Sequence, residues 1–227
     1  MSKISIIIPV LDEGEEIAAM LDRLADLRAL GVEVIVVDGG SRDATVLRAR
    51  PRADCVISAP RGRAPQMNAG AARASGSVLL FLHADTRLPE DADHIVLDSL
   101  HRSARAWGHF DVRIEGTHPL LPVIARLMGI RSRLTGIATG DQAMFVRRDA
   151  FVAVGGFPPI PLMEDIALSK RLKRVSRPLC LRECVVTSGR RWEKNGIFAT
   201  IWLMWKLRLA FFLGADPWKL AHRYGYE

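Results

Sequence analysis

Ile4-Ser5-Ile6-Ile7-Ile8-Pro9-Val10-Leu11-Asp12-Glu13 and Val32-Glu33-Val34-Ile35-Val36-Val37-Asp38-Gly39-Gly40-Ser41 decide the fold. Each opens with a run rich in β-branched residues and apolar toward both faces, as strands buried inside a parallel sheet are. Between them, across 15–30, apolar residues recur at helical spacing (Ile17, Met20, Leu21, Leu24, Leu27), and Gly31 supplies the stop. Strand, helix, strand in so short a stretch is a βαβ unit with a right-handed crossover.

The alternation continues outward from that unit. Residues 55–58 read as a short strand, 64–74 as a helix, 78–82 as the strongest strand of the chain and 89–106 as another helix. The first half is therefore α/β with a mostly parallel sheet, and its ligands belong at the carboxyl ends of the strands. Asp12 and Glu13, Asp38, and Asp85 each stand just after a strand, so three acidic positions converge on one rim. The second half is less regular. Residues 107–115 alternate like an antiparallel strand, 119–137 mix apolar residues with Arg126, Arg131 and Arg133, and 140–146 read as a turn feeding a strand. A Gly- and Pro-rich loop at 155–161 precedes a helix over 163–174 that opens with Glu164-Asp165. There is no internal repeat and no linker between separate units.

Composition narrows the function classes. Of 227 residues, 49% are apolar and 25% charged, which excludes disordered and low-complexity scaffolds and allows a sizeable core. Cys55, Cys180 and Cys184 are odd in number and lack metal-ligand spacing, which argues against a disulfide framework and for a reducing compartment. The net charge is +7, and arginine makes up 26 of the 32 basic residues. Such a surface suits phosphate, whether on nucleic acid, anionic lipid or a small molecule. The basic residues are dispersed and no helix-turn-helix or zinc pattern appears, so nucleic acid is not the expected partner. The first apolar run ends after seven residues in an acidic stretch, unlike a signal peptide, and a cytoplasmic protein is expected.

Four constellations carry candidate chemistry. Asp85 leaves the strongest strand with His83 two residues earlier, so both side chains fall on one side of an extended segment. One or two carboxylates suffice to hold a divalent cation on a diphosphate, because phosphate oxygens and water complete the octahedron; the structural alternative is a turn residue. Arg61-Gly62-Arg63-Ala64-Pro65-Gln66-Met67-Asn68 sets arginines at a helix start, an anion site or a solvated basic loop. Glu164-Asp165 serves either the dipole of its helix or a substrate presented by the loop before it. Arg190-Arg191-Trp192 reads as a phosphate clamp or as a surface ion pair with stacking.

The order of these segments resembles the family 2 glycosyltransferases of the GT-A fold over nearly the whole chain up to Trp192. In particular it resembles a small bacterial subgroup with His83-Ala84-Asp85 where most members carry Asp-x-Asp. The resemblance implies a Rossmann-like, mostly parallel sheet flanked by helices, with 1–195 as one catalytic unit (1–106 for the nucleotide-sugar, 107–195 for acceptor and catalysis). It implies that Pro9, Glu13 and Asp38 bind nucleobase and ribose, with Arg63, Gln66 and Asn68 lining the same pocket. Asp85, with His83 as a second ligand or its neighbour, would hold Mg²⁺ or Mn²⁺. Asp165 would be the general base with Glu164 beside it, Asp141 and Gln142 would sit near the sugars, and Arg191 and Trp192 near the diphosphate. Two departures stand out. His83 replaces an aspartate, and Ser188 occupies the glutamine slot of Gln-x-x-Arg-Trp, which argues against a processive polymer synthase. The reaction implied is inverting transfer to an acceptor hydroxyl or phosphate. The alternatives are a nucleotidyltransferase, or a nucleotide-sugar-binding protein without catalysis.

The tail, 196–227, contains a run of 17 residues at 197–213 that is apolar apart from Thr200, Lys206 and Arg208. As a helix it spans about 25 Å, short of the roughly 30 Å hydrocarbon core. Packing on the catalytic unit, a homodimer interface and an interfacial helix at the inner face of the plasma membrane all remain open; the last implies a lipid-linked acceptor.

Overall fold

Both strands of the opening βαβ unit form where the sequence places them. β1 (Ile4–Val10) pairs in parallel with β2 (Glu33–Asp38), with Ile7 opposite Ile35 and Val10 opposite Asp38. The computed structural model describes residues 3–224, the side chains of Arg191 and Tyr224 excepted. The intervening helix is broken into α1 (Ile17–Asp22) and α2 (Ala25–Ala29), and the break at Arg23-Leu24 lets Leu24 turn into the core. α3 (Thr45–Ala49), β3 (Cys55–Ser58), α4 (Arg63–Arg73) and β4 (Val78–Phe81) complete a parallel block in the order β3-β2-β1-β4.

The continuous apolar runs are explained by cover on both faces. Ile6, Ile8, Val34, Val36 and Leu80 point to one side, where they meet Ile17 and Leu21 of α1 and Val96 and Leu100 of α5 (Ala92–His101). Ile7, Ile35, Val37, Leu79 and Phe81 point to the other, against Met67 and Ala71 of α4. Alternate residues of a strand face opposite ways, so both faces are apolar except at Ser5, whose buried hydroxyl is hydrogen-bonded to Glu33 and the Gly76 N–H. Gly70 lets α4 approach closely, since a Cβ there would lie 2.4 Å from Ile7 Cγ2.

The second half extends the same sheet. β5 (Thr86–Arg87), β6 (Trp107–Glu115), β7 (Phe145–Arg147) and β8 (Leu179–Ser188) give the full order β3-β2-β1-β4-β7-β6-β8-β5. The antiparallel expectation for 107–115 holds only at its start, where Trp107 and Gly108 pair with Val146 and Phe145. From Gly108 onward β6 runs parallel to β8, a long-range partner that alternation within one segment cannot name. α6 (Leu121–Thr135) packs beneath β6 and ends at Gly136 in the left-handed conformation that helix C-termini favour. α7 (Arg148–Ala153) and α8 (Glu164–Leu172) cover the α4 side. The 89–106 helix is shorter than its pattern suggests, confined to α5. The chain closes with α9 (Arg190–Asn195), α10 (Ile197–Phe212) and α11 (Pro217–Tyr224). Among the described residues no helix is long and apolar enough to cross a membrane.

Candidate active site

The loops after β1 and β2 are tied to each other before any ligand is considered. Asp12 accepts the Arg42 N–H at 2.8 Å, and its own N–H donates to Ser41 Oγ. Asp38 is buried and accepts the N–H groups of Gly40 (3.0 Å) and Ser41 (3.1 Å). Gln66 spans the strand ends, its Nε2 donating to Val10 O at 2.8 Å and Val37 O at 2.7 Å. This frame opens a cavity of about 270 Å³ lined by Pro9, Glu13, Arg61 and Gln66. Burial, and then the charges of Asp85 and Glu16, push the Glu13 carboxyl above its ordinary range.

A second cavity of about 130 Å³ adjoins the first, lined by Asp141, Glu164, Asp165 and Trp192 among others. Arg63, His83 and Asp85 border both cavities. His83 Nδ1 lies 3.4 Å from Asp141 Oδ1, and a Cβ at Gly140 would press to 2.3 Å from the His83 ring. Glycine therefore lets the imidazole pack flat against the 140–142 turn. Burial alone would raise the Asp141 carboxyl, but the hydrogen bond and charge of His83, with Arg63 and Arg208, outweigh it and hold it at about 2.

The two acids at the start of α8 differ in their surroundings. Asp165 accepts the Gly140 N–H at 2.9 Å and the Ile166 N–H at 2.7 Å, one on each oxygen, which fixes its orientation. Glu164 is buried at 4% exposure; that burial, and then the charge of Asp165, pushes its carboxyl up to about 7. Met163 adopts a left-handed φ of 68° before Glu164, and both carboxylates wall the second cavity. The loop at 155–161 is clamped by Asn68, which accepts the Phe157 N–H at 3.0 Å and donates to its carbonyl at 2.8 Å.

The sequence-predicted residues thus fall into two groups. Pro9, Glu13, Arg63, Gln66, His83, Asp85, Asp141, Glu164, Asp165 and Trp192 line the two cavities. Asp38, Asn68 and Gln142 instead spend their polar atoms on backbone and side chains behind the walls; Gln142 Oε1 accepts from Ser132 Oγ at 2.8 Å and from Arg131 Nη2 at 3.3 Å. The side chain of Arg191 lies outside the described residues. Sequence reasoning missed Thr200, Met204 and Arg208, which project from one face of α10 into the second cavity at helical spacing. Thr200 and Arg208 are two of the three polar interruptions in the apolar tail, and that was the available signal.

Among the described residues no group of three or more His, Cys, Asp or Glu side chains forms a cage for a metal. The donor set fits a divalent cation that takes most of its oxygens from a diphosphate and water, with the Asp85 carboxylate at the junction of the cavities.

The model described as glycosyl transferase family 2 matches residues 5–155, two thirds of the chain, including the whole parallel block. The chain belongs to glycosyl transferase family 2. No curated protein matches this glycosyl transferase family 2 chain. Solved structures with the same GT-A architecture include Staphylococcus aureus TarS 1-349 in complex with UDP-GlcNAc, at 18% identity and a TM-score of 0.66, covering 82% of this chain and 58% of that one. A second is the mannosyltransferase PcManGT from Pyrobaculum calidifontis in complex with GDP-Man and Mn²⁺, at 19% identity and 0.65, covering 92% and 61%. A third is glucosyl-3-phosphoglycerate synthase from Mycobacterium tuberculosis with Mn²⁺, UDP and glucosyl-3-phosphoglycerate, at 18% and 0.63, covering 88% and 76%. The chain spans about three fifths of the length of the first two.

Proposed function

We propose that this family 2 chain transfers a sugar from a nucleoside-diphosphate sugar to an acceptor oxygen, with inversion at the anomeric carbon. One observation carries the reading: Arg63, His83 and Asp85 form a shared wall between a cavity floored by the end of β1 and a cavity holding Glu164 and Asp165. A diphosphate at that wall sets the nucleoside on the Pro9, Glu13 and Gln66 side and the sugar on the carboxylate side. The family membership and the nucleotide-sugar complexes of the similar structures support this assignment. The His83-Ala84-Asp85 sequence is the basis for placing the chain in a small bacterial subgroup. In this reading 1–106 carries the donor, 107–195 the acceptor and the base, and α10 adds a wall on the acceptor side.

In the chemical step the acceptor oxygen forms a bond to the anomeric carbon as the bond from that carbon to the β-phosphate oxygen breaks. The electron pair leaves with the diphosphate, and the hydroxyl proton passes to Asp165. A general base so placed contributes about 10²- to 10⁴-fold. Its two backbone N–H bonds hold the carboxylate in one orientation, which suits a proton acceptor that must not swing. Arg63 faces the developing negative charge of the leaving group where water is partly excluded. Asp85 would hold Mg²⁺ or Mn²⁺, which when bound neutralises diphosphate charge.

The reading is tested by thermal unfolding with a panel of nucleoside diphosphates and their sugar conjugates, with and without Mn²⁺. A specific donor raises the unfolding temperature by mass action. If no nucleotide does so in either condition, the reading fails.

A further inference from the structure

α10 is apolar nearly all round, and a helix of that kind normally lies covered. Here only one side is. Thr200, Met204 and Arg208 face the second cavity, while Phe198, Trp202, Trp205, Leu209 and Phe212 are each 60% exposed or more. Between α10, the end of α6 and α8 runs a groove of about 520 Å³, lined by Ile137, Ile166, Trp205, Leu209, Phe211 and Phe212. Its size falls within the roughly 300–1,000 Å³ of ligand pockets. The groove is not isolated, because Ile166 and Arg208 border both it and the cavity that holds Asp165.

At that junction the chemistry changes from apolar to cationic. Arg131 lies in the groove wall beside Arg208, and its buried Nε has no hydrogen-bond partner. Loss of solvent, and then the charge of Arg208, lower the Arg131 guanidinium to about 10, against the pull of Asp165 and Asp141. Among the described residues Arg131 makes no ion pair; its Nη2 donates only to neutral oxygens of Ser132, Thr139 and Gln142. Arg131 and Arg208 repel each other and Asp141 and Asp165 offset part of that charge, while the buried Arg131 Nε, without a hydrogen-bond partner, leaves a donor for a further oxyanion. Lys170 and Lys173 add positive charge along the groove.

Resting on the glycosyltransferase reading, we propose that the acceptor is a lipid with a phosphodiester and a free head-group hydroxyl. Its hydrocarbon chain lies in the α10 groove, its phosphate between Arg131 and Arg208, and its hydroxyl toward Asp165. The exposed aromatic face of α10, with Lys206 over the Trp202 ring at 4.7 Å, then rests on the bilayer surface that supplies this lipid. The transfer is the one already written: the head-group oxygen gains the sugar, its proton goes to Asp165, and the phosphodiester is unchanged.

The test is calorimetric titration of the full chain with three probes: dioctanoyl-phosphatidylglycerol below its micelle concentration, glycerol phosphate and dioctanoylglycerol. The phospholipid should bind at least about tenfold more tightly than either fragment, since chain and phosphate each contribute. Leu209→Asp, at an exposed position, should weaken the phospholipid about tenfold without changing nucleoside-diphosphate binding. Arg208→Gln should reduce the phospholipid to the affinity of dioctanoylglycerol. Glycerol phosphate binding as tightly as the phospholipid overturns the groove assignment, and dioctanoylglycerol doing so overturns the arginine assignment. A concentration-dependent dimer abolished by Leu209→Asp, with no lipid binding, gives the face to a second copy of the chain and also overturns the proposal. Nucleotide binding without lipid binding sinks this inference alone, whereas lipid binding without nucleotide binding removes the glycosyltransferase reading and with it the acceptor role, leaving the groove only as a lipid site.

Discussion

Replacing Glu164 by Gln should stabilise the protein, and by an amount that grows with pH. The Glu164 carboxyl sits at about 7 in the folded chain, raised from 4.5 by burial and by the Asp165 charge. Below about pH 4.5 it is protonated in both the folded and the unfolded chain, so it contributes no pH dependence. Between 4.5 and 7 the unfolded chain has released the proton while the folded chain retains it. The folded state then binds more protons, and stability falls as pH rises. Above about 7 the carboxylate is ionised in both states and the full penalty remains. At 1.36 kcal/mol per pKa unit, the wild type should lose roughly 3 kcal/mol relative to Glu164→Gln across that window. The assay is urea unfolding of both proteins from pH 4.5 to 8, comparing free energies at constant m. Subtracting the variant removes the titrating groups that do not interact with Glu164. In an Asp165→Asn background the second cause is gone, so the same difference should shrink but persist, because burial is the larger cause. Two parallel stability curves, with an equal gap at pH 5 and pH 8, would refute the reasoning.

Other outcomes follow from the same site. Asp165→Asn should lower the transfer rate about 10²- to 10⁴-fold with donor affinity unchanged, and Glu164→Gln should be milder; steady-state rates and donor titration decide, and normal turnover in both moves the base to Asp141. Asp85→Asn should weaken nucleoside-diphosphate binding only when Mn²⁺ is present, measured by titration with and without the ion; unchanged affinity and metal dependence make Asp85 a turn residue. Glu13→Ala should weaken a nucleoside diphosphate and its sugar conjugate by the same factor, and a loss confined to the conjugate contradicts its place on the nucleoside side. Asp38→Ala leaves the Gly40 and Ser41 N–H groups without their acceptor, so it should cost about 1–3 kcal/mol of stability, read by urea unfolding, in addition to any loss of nucleotide affinity.

The parallel block was legible because burial on both faces leaves a local trace. Ile4–Val10, Glu33–Asp38 and Val78–Phe81 each read as apolar runs with an acid at or within four residues of their end, and Glu13 and Asp85 do line one cavity. The rest of the sheet depends on partners far away in sequence. β6 joins β8 across some seventy residues, and nothing inside 107–115 specifies a parallel neighbour. The site divides along the same line. Cavity-lining residues such as Glu13, Asp85 and Asp165 follow strands or open a helix, so position alone marks them. Asp38, Asn68 and Gln142 are equally polar and equally close in sequence, yet they are turned inward to satisfy backbone groups. A buried amide or carboxylate is retained only if its hydrogen bonds are met, and where those partners lie is a property of the folded chain.

Helix α10 shows the same division most plainly. Read alone, 197–213 left three fates open, because an apolar stretch suits a protein core, a dimer or a membrane surface equally well. The decisive residues are its polar ones. Thr200 and Arg208 are two turns apart on the face that closes the second cavity, so α10 belongs to the wall of the site and is not an appendage. Thr200 is further buried, with its hydroxyl donating to Gly196 O at 2.8 Å within the helix. Arg208 brings positive charge toward Asp141 and Arg131. The same placement turns the opposite side of α10 away from the cavity. The five large apolar side chains from Phe198 to Phe212 stay outside because the cavity claims the inner face. They form an exposed apolar face at a place continuous with the proposed base.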